Sequence, residues 1–141
     1  MTALTQTCQN LTLAGATAVR DRASARASAL SLAIAIVVMD RSGALLLAEV
    51  ADGAAPGSMD AALMKAKGAA RYRTATHLTA KFLKGLPGWR AIHALSLPEV
   101  CAFQGGVPIR IGEEVIGAVG IAGGSGEQDI AIAAEAAMME A

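Results

Sequence analysis

One lysine stands apart from the other charged residues of this sequence. Lys65 falls among Ala62, Ala66 and Ala69, on the face of a helix that should meet a core. An ammonium group there must either find a partner or extend its stem to water. Paired with a carboxylate, it is either a structural ion pair or a device for acid–base work or carboxylate recognition. The candidate acids are Glu49, Asp52 and Asp129. Asp52 or Glu49 beside Lys65 would suit proton transfer on a small polar substrate, as in hydrolysis, tautomerisation or condensation–cyclisation. Each acid also has an ordinary explanation. Asp52 sits in a turn, and Asp129 falls in the first turn of a helix, where the dipole favours an acid.

His77 and His93 are the only histidines. Histidine is the commonest metal ligand and the usual axial ligand of haem iron, so both are candidates for that role. Neither belongs to an HxxxH or CxxCH motif. Two distant histidines and two distant cysteines, Cys8 and Cys101, make no zinc set, so no metal site is expected. Arg71 and Arg73 lie close before His77. They either meet haem propionates or an organic acid by bidentate pairing, or form a solvated basic helix end. Met64, in mid-helix, reads as core. No P-loop or dinucleotide fingerprint is present.

These residues must be positioned by the elements around them. Periodicity predicts a first helix over residues 2–26 and a strand over 32–39. Asp40-Arg41-Ser42-Gly43 has the form of a type I turn, leading into a second strand over 44–50. Ser58 is a natural N-cap for a helix over 59–73. Shorter helices follow over 76–84 and 89–95. Residues 101–104, 107–111 and 115–122 read as three further strands. Ser125 and Gln128 match a capping box before a last helix over 127–140. Hairpin-linked strands with helices before, between and after them give an α+β layered domain.

Composition bounds the function. The 141 residues suit one domain over 1–141. Lys plus Arg is 12 and Asp plus Glu is 12, which argues against a nucleic-acid partner. The longest apolar run, residues 32–39, is too short to span a membrane. Free cysteines and no apolar leader in residues 1–10 point to a cytoplasmic protein. The last helix is apolar around most of its circumference, with Ile130, Ile132, Met138 and Met139 among several alanines. One face should meet the sheet and the other a second subunit, so a homo-oligomer is expected. A pocket near or across the subunit boundary follows.

Three stretches carry a family resemblance: VVMDRSGALL (37–46), ADGAAPGSMDAALMKAKGAA (51–70) and GGVPIRIGEEVIGAVGIAGGSGEQD (105–129). In order and spacing they resemble the GlcG/HbpS-like family, described as haem-binding or haem-degrading. They are also similar to the C-terminal domain of some corrinoid adenosyltransferases. The resemblance implies a profilin-like fold with a five-stranded antiparallel sheet, oligomeric assembly, and haem or a related planar molecule as the ligand. With the strand order it implies, the loops at Asp52-Gly53-Ala54, Gln104-Gly105-Gly106 and Gly123-Gly124-Ser125-Gly126 meet at one sheet edge. Two helices start from the same end, and their free N–H groups favour an anion. Gly105, Gly106, Gly123, Gly124, Ser125 and Asp129 are therefore candidate ligand-binding residues, and tight turns in a packed sheet are the alternative. A haem or small-molecule binder, a small acid–base enzyme and a ligand-free scaffold all remain open at this point.

Overall fold

A computed structural model describes residues 2–139. Its elements are α1 (Leu13–Ala29), β1 (Ala35–Asp40), β2 (Leu45–Val50), α2 (Gly57–Tyr72), α3 (Thr76–Lys84), α4 (Gly88–Ala94), β3 (Gly106–Ile111), β4 (Glu114–Ala122) and α5 (Gly126–Ala136). The strands form one antiparallel sheet in the order β2-β1-β4-β3. The α+β class and the central place of β1 agree with expectation.

The sheet has four strands rather than five. Residues 101–104 do not join it. The chain leaves the sheet at Gly105 (φ +120°), and Cys101 packs over α2 against Gly68, where a Cβ would come within 2.7 Å of the Cys101 Cβ. The segment thus lies above the helix layer, not beside β3. The first helix starts at Leu13 and not near Thr2, because the Thr12 hydroxyl accepts from Gly15 N at 3.0 Å and caps it. Before that cap, Leu11 N donates to Ile116 O at 2.9 Å and its side chain enters the core. The expected end of the last helix, at Glu140, lies outside the described residues.

Strand alternation divides the core in two. Ile36 and Val38 of β1 point to a cluster with α1 and α5, including Val19, Ile121 and Ile132. Ala35, Val37 and Met39 point the other way, against Ala62 and Ala66 of α2. Both faces of β1 are therefore covered, as its continuous apolar run requires. On the α2 side the facing residues of β4 are small: Ala118, Gly120 and Ala122. The alanine-rich composition serves this close helix–sheet approach.

α1 and α5 lie side by side on their face of the sheet. This removes the reason given above for an intersubunit face on the last helix, since α1 of the same chain covers it. Ile132 is fully buried within the subunit. Apart from Met138, exposed just past the end of α5, the densest group of exposed apolar side chains lies on α3, α4 and the turn after α4, where Leu78, Phe82, Trp89, Ile92, Leu95 and Leu97 are each at least half exposed. Met64 is also half exposed rather than core.

The β1–β2 turn is closed by Asp40. Its Oδ1 accepts from Ser42 N at 2.8 Å, Ser42 Oγ at 2.7 Å and Ala44 N at 3.0 Å. Burial pushes the carboxyl up, but the hydrogen bonds from Ser42, Ala44 and Asn10 together outweigh it and hold the group below its ordinary value. A depressed acid stabilises the fold above its unfolded value of 3.8 and loses that contribution as pH falls through the lower folded value. Asp40→Asn should therefore lower stability by about 1 kcal/mol at neutral pH and by less in acid. Urea unfolding at pH 7 and below pH 3.8 checks this, and an equal loss at both would refute it.

Candidate functional site

Lys65 reaches from the middle of α2 into the end of the sheet. Its Nζ donates to Ile121 O at 2.8 Å and to Asp129 Oδ2 at 3.1 Å. Both side chains are 4% exposed. The second carboxylate oxygen, Oδ1, accepts from Gly124 N at 2.9 Å. One ion pair thus ties together α2, the end of β4, the following glycine loop and the first turn of α5. Of the acids considered from sequence, Asp129 is the one that meets Lys65.

The glycines make room for this junction. A Cβ on Gly105 would lie 2.9 Å from the Asp129 Cβ and 3.2 Å from Lys65 Nζ. Gly106 passes directly under α2, and its N–H donates to the buried Thr76 Oγ1 at 2.9 Å. Ser125 caps α5, accepting from Gln128 N at 3.2 Å while Gln128 Oε1 accepts from Ser125 N at 2.8 Å. This is the expected capping box.

Above the pair opens a cleft of about 590 Å³. Ser58, Ala61, Lys65, Phe103, Gln104 and Gly124 contribute to its walls. Two of the three expected loops converge here. The third does not. Asp52 and Glu49 line a separate depression of about 320 Å³ with Ser24, Ser28 and Ile34. The reason is strand parity. Glu49 pairs with Ile36, whose side chain is on the α1 side, so both point away from α2. Glu49 instead approaches Arg20 at 3.6 Å. The structure therefore does not assemble a catalytic group from Asp52, Glu49 and Lys65.

The arginines lie elsewhere. Arg71 Nε is 3.7 Å from Glu99, and Arg73 ends α2 in the left-handed region at φ +53°, its carbonyl accepting from Arg110. His77, in the first turn of α3, is partly buried, and its Nδ1 has no hydrogen-bond partner among the described residues. His93 is exposed on α4 and lines a depression of about 670 Å³ with Phe82, Leu86, Trp89, Arg90 and Leu97. The Arg90 guanidinium lies 5.2 Å from the Trp89 ring centroid. Against it lies an apolar groove of about 430 Å³ between α3 and the 94–100 segment. Burial pushes the Cys101 thiol up, away from thiolate chemistry.

Ser58 and the α3–α4 apolar wall were missed as site elements by sequence reasoning. The sequence makes Ser58 an N-cap, but the helix begins one residue before it, after Pro56, with no side-chain cap. Pro56 just before the first helical position was the available signal.

The sequence and fold have clear relatives. The family model for haem degrading protein HbpS-like matches residues 11–138. A 15.0 kDa protein from the dhaT-dhaS intergenic region of Citrobacter freundii is 31% identical over 124 residues, 88% of this chain and 87% of that protein. The crystal structure of ORFY from Klebsiella pneumoniae is 31% identical with a TM-score of 0.88, covering 97% of this chain and 94% of ORFY. The structure of a PduOC:heme complex is 27% identical with a TM-score of 0.81, covering 92% of this chain and 95% of that one.

Proposed function

Since the chain belongs to the haem degrading protein HbpS-like family, we propose that it binds haem, or a related planar tetrapyrrole, on the α3–α4 face. The observation that carries this reading is the match in fold to PduOC, solved as a heme complex. The side chains present fit the group. His93 offers an imidazole for the iron. Phe82, Leu86, Trp89 and Leu97 offer apolar area for the macrocycle, and Arg90 a guanidinium for a propionate. Bound iron would supply the redox chemistry, and the chain's part is to hold the ring, orient it and shield it from water.

The depression is open, so one subunit covers one side of such a ring. A second copy placed on the exposed α3–α4 side chains would cover the other. The protein is then a cytoplasmic homo-oligomer with the ligand at a subunit boundary. Its free cysteines, Cys8 and Cys101, support a reducing compartment.

A haem titration followed at the Soret band tests the reading. Saturable binding is expected, with His93→Ala weakening it by at least about tenfold and His77→Ala leaving it unchanged. A flat titration would refute haem binding. Full binding by His93→Ala, with loss in His77→Ala, would move the site to the start of α3.

A further inference from the structure

The cleft above the Lys65–Asp129 pair is separate from the α3–α4 face, and no part of the haem reading uses it. We propose that it is a second ligand site, for a small monocarboxylate. Four observations on this end of the molecule carry the proposal.

First, α2 starts here without a side-chain cap. Ser58 N donates to Ala55 O at 2.9 Å, and the other N–H groups of this first turn lie at the positive end of the helix dipole. Second, Ser58 is only 9% exposed, yet its hydroxyl hydrogen-bonds to none of the described residues, and the residue lines the cleft. The hydroxyl opens onto the cleft, where it can donate to a ligand oxygen. Third, Lys65 is 4% exposed and lines the same cleft, with two of its three N–H donors occupied by Ile121 O and Asp129. Fourth, the wall facing α2 carries Ala102 and Phe103, the latter 61% exposed, and Ala61 lies between Ser58 and Lys65 on the helix side.

Charge chooses among anions. Asp129 already neutralises Lys65, and both of its oxygens are occupied. The dipole of α5 meets its own acids, Glu127 and Asp129, and a complete capping box. The positive charge left for a ligand is therefore that of the α2 end, at most about half an elementary charge and partly offset by Asp60 in its first turn. Asp60, in the first turn of α2, is exposed and does not line the cleft. Such a site suits one negative charge and not two. A carboxylate bridging the Ser58 hydroxyl and the free Lys65 N–H, with a short apolar body against Phe103, matches polarity, charge and the available volume of about 590 Å³.

Nuclear magnetic resonance of the ¹⁵N-labelled full chain, free of haem, tests this with propionate, benzoate and inorganic phosphate as probes. Propionate and benzoate should give saturable shifts at the amides of Gly57, Ser58, Met59 and Gly124. Ser58→Ala should weaken both about tenfold. Ala61→Asp, which places a carboxylate on the same helix face, should abolish the shifts while circular dichroism stays native. His93→Ala should leave them unchanged, which separates this site from the haem face. The proposal is overturned if neither carboxylate saturates, or if Ser58→Ala binds as the parent does. Phosphate binding as tightly as propionate, with the same Ser58→Ala loss, would overturn the monocarboxylate assignment.

Discussion

Replacing Gly120 by alanine is expected to abolish the native fold or cost more than about 4 kcal/mol, an effect at the extreme of single substitutions. The added Cβ would collide with the Ala62 carbonyl oxygen, and it would lie 2.7 Å from Ala66 N and 3.1 Å from the Ala62 carbonyl carbon. All three are backbone atoms of one helix, so no rotamer change relieves the clash. Only lifting α2 as a unit would, and that opens the contacts of Ala62, Ala66 and Ala69 together. It also draws Lys65 away from Ile121 O. Overpacking of side chains against side chains costs roughly 1–3 kcal/mol, because such groups can yield. Here they cannot. Gly88→Ala is the control, because a Cβ there meets nothing within 4 Å. Urea unfolding should show Gly88→Ala within about 0.5 kcal/mol of the parent. A Gly120→Ala protein equally close to the parent would mean that α2 rides farther from β4 than the structure has it.

How much of this was legible in the sequence depends on whether a local signal marked it. The β-branched run before Asp40, the Asp40–Gly43 turn and the Ser125–Gln128 box each carry their own chemistry, and each forms where expected. Lys65 was visible as a charge on an apolar helix face. Its partner was not, because the choice between Asp129 and Glu49 depends on which face of the sheet each acid reaches. Parity settles that: Glu49 shares the α1 side with Ile36, and Asp129 enters from the end of the sheet. Residues 101–104 have strand-like composition, but whether they pair depends on a neighbour. The left-handed Gly105 and the flat surface offered by Gly68 carry them over α2 instead. The second side of α5 read as intermolecular because nothing local tells a helix that α1 will lie beside it.

Breaking the Lys65–Asp129 pair from either side is expected to cost about 3–5 kcal/mol. Lys65→Met leaves a carboxylate 4% exposed, with one remaining donor, Gly124 N. Asp129→Leu leaves the ammonium on a single backbone carbonyl, Ile121 O, at the same depth. In both cases the larger part of the loss is the charge left behind, not the attraction removed. The double variant carries no buried charge, so it should be less destabilised than the two singles added together, with a coupling of about 2 kcal/mol or more. It will not return to the parent, because Gly124 N and Ile121 O each lose a side-chain partner. A double-mutant cycle by urea unfolding measures the coupling. Additive losses would show that the two groups do not depend on each other. The coupling should also resist salt, since the pair is shielded from solvent, whereas the exposed Arg20–Asp21 contact should weaken with it. The cycle bears on the cleft as well: the double variant keeps Ser58 and the uncapped start of α2 but loses the ammonium donor, so carboxylate binding should fall in it even where folding survives.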